Sequence, residues 1–271
     1  MALVVVIAAA VGGVIWIRGR GATGPNLSDQ RCVATAGDLT VALDLDQAHF
    51  ASIIVGISVR RGLPARAASI ALATVYQETG IRNLSYGDRD SIGLFQQRPS
   101  QGWGTVKQLM DPYYATNKFY DALIKVENWQ TDDINDVAQK VQRSGFPEAY
   151  RDHESDARVL ASVFTGNSPA GLSCLEREAA PGRSGALVKS LQKTYGTVPA
   201  TTKANLVTIK ARKQTTAWTF ALYVIANSKA YGVTEVQVGN RRWQTQEINL
   251  PDWTSASPAL TANVVTITVR G

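Results

Sequence analysis

Glu78 stands at the end of a segment suited to burying whatever it carries. Residues 67–76 (AASIALATVY) are almost all small or apolar, and a helix that is apolar on every side belongs in the middle of a domain. Gln77-Glu78-Thr79-Gly80 ends the run, with Gly80 as a natural left-handed cap. Two effects there raise the pKa of Glu78. Burial disfavours the charged form, and the negative end of the helix dipole repels a carboxylate. A carboxyl that keeps its proton near neutral pH is what a general acid requires. The plainer alternative is a helix-end Glu in solvent, where most Glu residues sit. Metal chemistry is poorly served. Two Cys and two His are too few ligands for a zinc finger or a multi-His site, and no cofactor is expected. His153, in the charged run Arg151-Asp152-His153-Glu154, reads as a surface residue rather than a ligand or base. Asp111, Asp121 and Glu154 read as caps or solvated helix faces.

The next run is Tyr86-Gly87-Asp88-Arg89-Asp90-Ser91-Ile92-Gly93-Leu94-Phe95-Gln96-Gln97-Arg98-Pro99. Glu78-Thr79-Gly80 followed by Gly93-Leu94-Phe95-Gln96 resembles the lytic transglycosylase and goose-type lysozyme pattern. In that pattern a Glu closes a central helix and a Gly-Leu-Met-Gln turn follows; Phe95 stands at the usual Met. Gly87-Asp88-Arg89 is similar to the Gly-Asp stretch of goose-type lysozymes. Asp88 to Gly104 also resembles a group of secreted actinobacterial proteins of this lysozyme-like class. The resemblance spans roughly residues 30–175.

The resemblance implies a mainly α lysozyme-like domain that cleaves the glycan strands of peptidoglycan. Glu78 would protonate the glycosidic oxygen between two amino sugars. Gln96 would orient the substrate or Glu78, with Ser91 and Gln97 as further substrate-binding residues. Tyr76, Trp103, Tyr113 and Tyr114 would offer the flat apolar faces on which pyranose rings stack. Members often carry an Ala-Tyr-Asn-Ala-Gly motif late in the domain. Here Val141-Gln142-Arg143-Ser144-Gly145 stands in that place. Gln142 would face the substrate, and Tyr150 is the candidate for the missing Tyr. Two readings follow: an enzyme with Glu78 as general acid and base, or a non-catalytic protein that binds peptidoglycan or another wall polymer through the same fold. A second carboxylate would mark an inverting hydrolase, standing some 6.5–9.5 Å away to activate water. A lytic transglycosylase uses one Glu twice. Asp88 and Asp90 are the candidates for a second carboxylate; the alternative is that Asp-x-Asp caps a turn. The further oxygen ligands of a calcium loop are absent.

The rest of the chain must position this segment. Its 271 residues are 45% hydrophobic and 18% charged, which excludes global disorder and suffices for one large or two ordinary domains. Residues 2–17 carry no charge and would rise about 24 Å as a helix, the length of a signal core or short anchor. Arg18 and Arg20 follow, which by the positive-inside rule would hold the next domain in the cytoplasm. The reading adopted is a signal-anchor at 1–17 holding extracytoplasmic domains on a tether at 18–29, in the cell membrane. Cys32 and Cys174, oxidised, would close a loop of about 140 residues. Two lone thiols in a cytosolic protein are the alternative, and the anchor favours the disulfide.

Expected helices are 46–61, capped by Asp44 or Asp46, then 64–79, 112–126, 132–144, and 147–164 opened by Pro147; no strand is expected before residue 165. Residues 165–185 are rich in Gly, Ser, Pro and Ala, and a linker is assigned at 176–190. A small α+β domain at 191–271 has strands at 205–210, 234–238 and 263–269 and a helix at 215–231 stopped by Gly232. The fold expectation is thus an N-terminal hydrophobic helix, a mainly α lysozyme-like domain and a small α+β domain. Residues 30–175 hold 14 Lys and Arg against 16 Asp and Glu, whereas residues 176–271 hold 12 against 5. Residues 217–243 resemble the C-terminal part of a wall-protein module similar to zinc D,D-peptidases. No His lies beyond His153, so that module would be non-catalytic. Its Arg241, Arg242 and Trp243 would meet an anionic wall polymer. Nucleic acid fits the charge but not the compartment. One short hydrophobic span cannot build a transport pathway.

Overall fold

The computed structural model describes residues 30–177 and 179–271; the expected anchor and tether lie outside them. Among the described residues no helix is long and apolar enough to cross a membrane. Caps set the helix starts. Asp44 caps α1 (Leu45–Arg60): its carboxylate accepts from the Gln47 N–H at 2.8 Å, while the Gln47 side chain accepts from the Asp44 N–H at 2.9 Å. This reciprocal box satisfies donors that a helix start otherwise leaves unpaired. α2 (Ala65–Thr79) follows Pro64 and ends on Gly80 at φ +61°. Its residues 67–75 are all buried. α3 (Val106–Leu109) leads into α4 (Pro112–Leu123), which Asp111 caps. α5 (Ile134–Gln142) is capped by Asp133 and α6 is Glu154–Phe164. α1, α4, α5 and α6 surround α2.

The last helix of this group starts seven residues later than Pro147. The Asn135 side chain donates to the Pro147 carbonyl at 2.9 Å, and Tyr150 is buried. These hold the segment as turns, and one 3-10 turn, Arg151–His153, precedes α6.

The absence of early strands is corrected. β1 (Arg31–Ala36) and β2 (Leu39–Leu43) form an antiparallel hairpin, and β3 (Leu172–Leu175) pairs with the other edge of β1. Cys32 lies opposite Cys174 in that register, and the two form a disulfide across 142 positions. The helical half therefore carries a small sheet that ties its beginning to its end.

The linker assignment also changes. α7 (Ser184–Tyr195) begins inside it, and Leu187 and Leu191 are fully buried. Beyond it lie β4 (Ala200–Lys203), β5 (Leu206–Lys210), α8 (Gln214–Ala226), α9 (Ser228–Tyr231), β6 (Val233–Val238), β7 (Arg241–Gln244), β8 (Thr254–Ser255) and β9 (Val264–Val269). The six strands form one antiparallel sheet, ordered β4-β5-β9-β6-β7-β8. Val265, Ile267 and Val269 alternate onto its buried face. In all, the described residues form nine helices and two antiparallel sheets, a mixed α+β structure.

α8 joins the halves. Its residues 217–226 are all buried, against β6 and β9 on the sheet and against α1, α6 and β3 of the helical half. The buried residues of both halves form one cluster. α7 locks onto α1 as well: a Cβ on Gly56 would come 2.3 Å from Thr194 Cγ2 and 3.0 Å from the Tyr195 ring. Gly56→Ala is therefore expected to destabilise by about 1–3 kcal/mol through overpacking, despite the better helix propensity of Ala. Denaturant unfolding measures this, and an unchanged midpoint would refute close packing of α7 on α1.

Candidate active site

α2 delivers Glu78 in its last turn, half-buried. Glu78 Oε1 accepts from the Tyr150 hydroxyl at 3.0 Å and from Gln142 Nε2 at 3.1 Å. Gln142 is the last residue of α5, and its Nε2 also donates to the Phe95 carbonyl at 2.9 Å. Three separate segments thus meet at one carboxyl. Burial raises the pKa of Glu78, and the hydrogen bonds from Gln142 and Tyr150 work against that rise. Burial, and next the charge of Glu78, push the Tyr150 hydroxyl far above neutrality, so it stays a donor. The structure brings Tyr150, 72 positions along the chain, to Glu78 as a hydroxyl donor.

Gly93-Leu94-Phe95-Gln96 supports the end of α2. Leu94 and Phe95 are fully buried, and Phe95 stacks on Phe119 with ring centroids 4.6 Å apart. The Leu94 carbonyl accepts from Thr79 Oγ1 at 3.0 Å. Gly93 sits at φ +80°, and a Cβ there would lie 2.4 Å from the Leu109 carbonyl oxygen, so only Gly fits. Gln96 does not orient Glu78. Its Nε2 donates to the carbonyls of Tyr86 and Gly93, at 3.3 and 3.2 Å, which closes the loop. Gln97 is buried and donates to the Ala115 carbonyl at 3.2 Å. It is a packing residue, pointed inward by the Ile92–Gln97 bridge.

The two aspartates differ. Asp90 Oδ1 accepts from Arg98 Nε at 2.7 Å and Ser100 Oγ at 3.0 Å, and Oδ2 accepts from the Ser100 N–H at 2.7 Å. The Ser100 N–H first, and then Arg98, hold its carboxyl far below the usual range. It locks a turn, and its oxygens are occupied. Asp88 has a 93% exposed side chain 3.8 Å from Arg89; neither partner nor packing fixes it as a base. Ser91 belongs to the same turn, its N–H donating to the Asp88 carbonyl at 2.9 Å.

The aromatic residues divide as well. Tyr76 stacks on His153, with centroids 5.4 Å apart and planes at 8°. His153 Nε2 lies 3.1 Å from Gln77 Oε1, and burial lowers its pKa. His153 is thus a half-buried packing partner and not a plain surface residue. The Tyr113 hydroxyl lies 3.1 Å from Thr194 Oγ1 of α7, and the Lys193 ammonium stands 3.8 Å from its ring; that contact joins the halves. The Tyr114 hydroxyl donates to the Trp103 carbonyl at 3.3 Å. Trp103 and Gln142 line one groove of 940 Å³, so the groove reaches the hydrogen-bonding shell of Glu78. Trp243, expected on a binding surface, is fully buried and donates to Ser173 Oγ at 3.0 Å, while Arg241 donates to the Trp253 carbonyl at 2.8 Å. Strand alternation turns position 243 into the core.

Compared with known proteins, the chain matches no family model and no curated sequence. The geometry therefore carries the chemistry by itself. Among the described residues, no three His, Cys, Asp or Glu side chains are grouped to hold a metal ion. What the site brings together is a carboxyl whose pKa burial raises, two donors on one of its oxygens that oppose the rise, and a groove that one of those donors, Gln142, also lines. Two exposed rings went unnoticed in the sequence: Tyr86, 70% exposed, whose carbonyl Gln96 holds, and Phe146, 75% exposed, between Gln142 and Tyr150. Each is a large ring in an irregular loop segment, with no periodic partner to bury it, and that was the available signal.

Proposed function

We propose that the chain cleaves the glycan strands of peptidoglycan by lytic transglycosylation, with Glu78 as acid and then base. The observation that carries this reading is the half-buried Glu78 carboxyl, raised in pKa by burial and held by Tyr150 and by Gln142, which also lines a groove. Glu78 gives its proton to the glycosidic oxygen as the C1–O bond breaks, and the leaving sugar departs with a free hydroxyl. The Glu78 carboxylate then takes the proton from the C6 hydroxyl of the remaining sugar as O6 bonds to C1. An anhydro ring forms, Glu78 is protonated again, and no water is consumed. The engagement of Asp90 by Arg98 and Ser100, and the exposure of Asp88, favour this one-carboxylate course over inverting hydrolysis. Tyr86, Trp103 and Phe146 offer rings to the sugars. The Cys32–Cys174 disulfide supports work outside the cytoplasm, with residues 2–17 as the membrane anchor.

Purified peptidoglycan incubated with the protein, and the released muropeptides weighed by mass spectrometry, test the reading. Anhydro ends support it. Reducing ends would replace it with hydrolysis. Pelleting with the wall without release would replace it with binding alone.

Tyr150→Phe gives a finer test. The Tyr150 hydrogen bond lowers the Glu78 pKa, so its loss raises it. Glu78 donates only while protonated, so activity falls as pH rises through that pKa. The alkaline limb of the pH–rate profile is expected to move to higher pH in Tyr150→Phe. Loss of one hydrogen bond worth about 1.5 kcal/mol also corresponds to a rate about tenfold lower. A limb that stays in place would show that Tyr150 does not tune Glu78.

A further inference from the structure

Positive charge is concentrated where the first half's overall balance does not call for it. Residues 30–175 carry more acidic than basic side chains, yet the groove that Gln142 lines, one hydrogen bond away from Glu78, is lined by Lys118, Lys125, Lys140 and Arg143, with Asp121 as its one acid. Asp121 is already engaged, its Oδ1 accepting from Arg61 at 2.8 Å. Lys140 pairs at 2.7 Å with Asp132, which does not line the groove, and Lys118 stands 5.5 Å over the Tyr114 ring. Among the described residues, Lys125 and Arg143 form no ion pair, and both are exposed. Arg143 caps α5 at φ +53°, a conformation that favours Gly or Asn and costs stability with a long side chain. Its neighbour Gln142 lines the same groove and donates to Glu78 at 3.1 Å. At 940 Å³ the space is in the range that holds a ligand of several rings or residues.

We infer that Lys125 and Arg143, with the cations around them, bind free carboxylates on the peptide substituents of the glycan strand. The inference rests on the glycan-cleaving reading and narrows its substrate to strands bearing acidic, uncapped peptides. The ammonium of Lys125 supplies a point charge, and the guanidinium of Arg143 supplies a fork that matches a carboxylate in two hydrogen bonds. A peptide seated there fixes the attached sugar along the groove, with the scissile bond directed to Glu78. Neutral chitin-type strands and strands with amidated peptides lack this hold.

The test uses the full chain carrying Glu78→Gln, so that bound glycan is not consumed. Calorimetry measures its affinity for soluble glycan fragments with free peptide carboxylates, and for the same fragments after amidation. The free-carboxylate form is expected to bind about tenfold more tightly at low salt, with the advantage lost at high salt, as for exposed charges within a Debye length. Adding Lys125→Gln and Arg143→Gln is expected to abolish the discrimination while leaving affinity for the amidated form and the melting temperature unchanged. Equal affinity for both forms, or discrimination that survives the double substitution, overturns the inference and leaves glycan cleavage standing. Tighter binding to a phosphodiester wall polymer than to either fragment overturns it in favour of a different ligand. No binding to any glycan form, with wild-type chain also inactive on the wall, fails the glycan reading itself.

Discussion

Glu78→Gln is expected to lower the rate of glycan cleavage by about a thousandfold or more, within the range that general acid–base groups contribute. Gln keeps an acceptor for Tyr150 and Gln142, so the site retains its shape, but it has no proton to give to a departing sugar oxygen. The same substitution has an opposite effect on stability. The Glu78 pKa is raised in the folded protein, so its favourable contribution is fully present below the ordinary Glu pKa and is lost as pH rises through the folded value. At neutral pH Glu78→Gln should therefore melt at a higher temperature than the parent, and below the ordinary Glu range the two should converge. Melting curves at several pH values read this beside the rates. A variant that is inactive and also less stable at neutral pH would point to a structural role for the carboxylate and would refute its role as a buried acid.

Loss of the Cys32–Cys174 bond is expected to have the largest effect on stability. The bond closes a loop spanning 142 positions, and the chain-entropy relation gives about 5 kcal/mol for such a loop. For a chain of this size that corresponds to a fall in melting temperature on the order of 10–20 °C. Cys32→Ser with Cys174→Ser, or the native chain under reductant, gives the measurement by calorimetry or circular dichroism. β1 and β3 would keep their hydrogen bonds, so the folded structure is expected to persist at low temperature. A midpoint within about 2 °C of the parent would mean that the unfolded chain already holds the two strands near each other.

The parts legible in the sequence were those specified by neighbours along the chain. Asp44 and Asp111 cap helices because capping needs only the next two or three residues. Gly80 and Gly232 stop helices in left-handed conformations, which Gly adopts without steric cost. The burial of α2 followed from its composition. Contacts between distant segments were less legible. β1 is Arg-Cys-Val-Ala-Thr-Ala, weak in strand formers, and it is a strand because β2 and β3 flank it. Tyr150 reaches Glu78 across 72 positions, so the sequence offered only a Tyr near a gap. Gln96 and Gln97 look alike in sequence, but the bridge at Ile92–Gln97 sends one amide to the loop and the other into the core. Trp243 beside two Arg suggested a sticky surface. Its place in β7 next to β6 set its direction instead.

The order of the large sheet gives it a keystone. β9 lies between β5 and β6 and not at an edge, so the hairpin of β4 and β5 is joined to β6, β7 and β8 through β9. α8 packs on both β6 and β9, and also on α1, α6 and β3. A substitution that pulls β9 out of the sheet would therefore be felt, by way of α8, among the helices that surround α2.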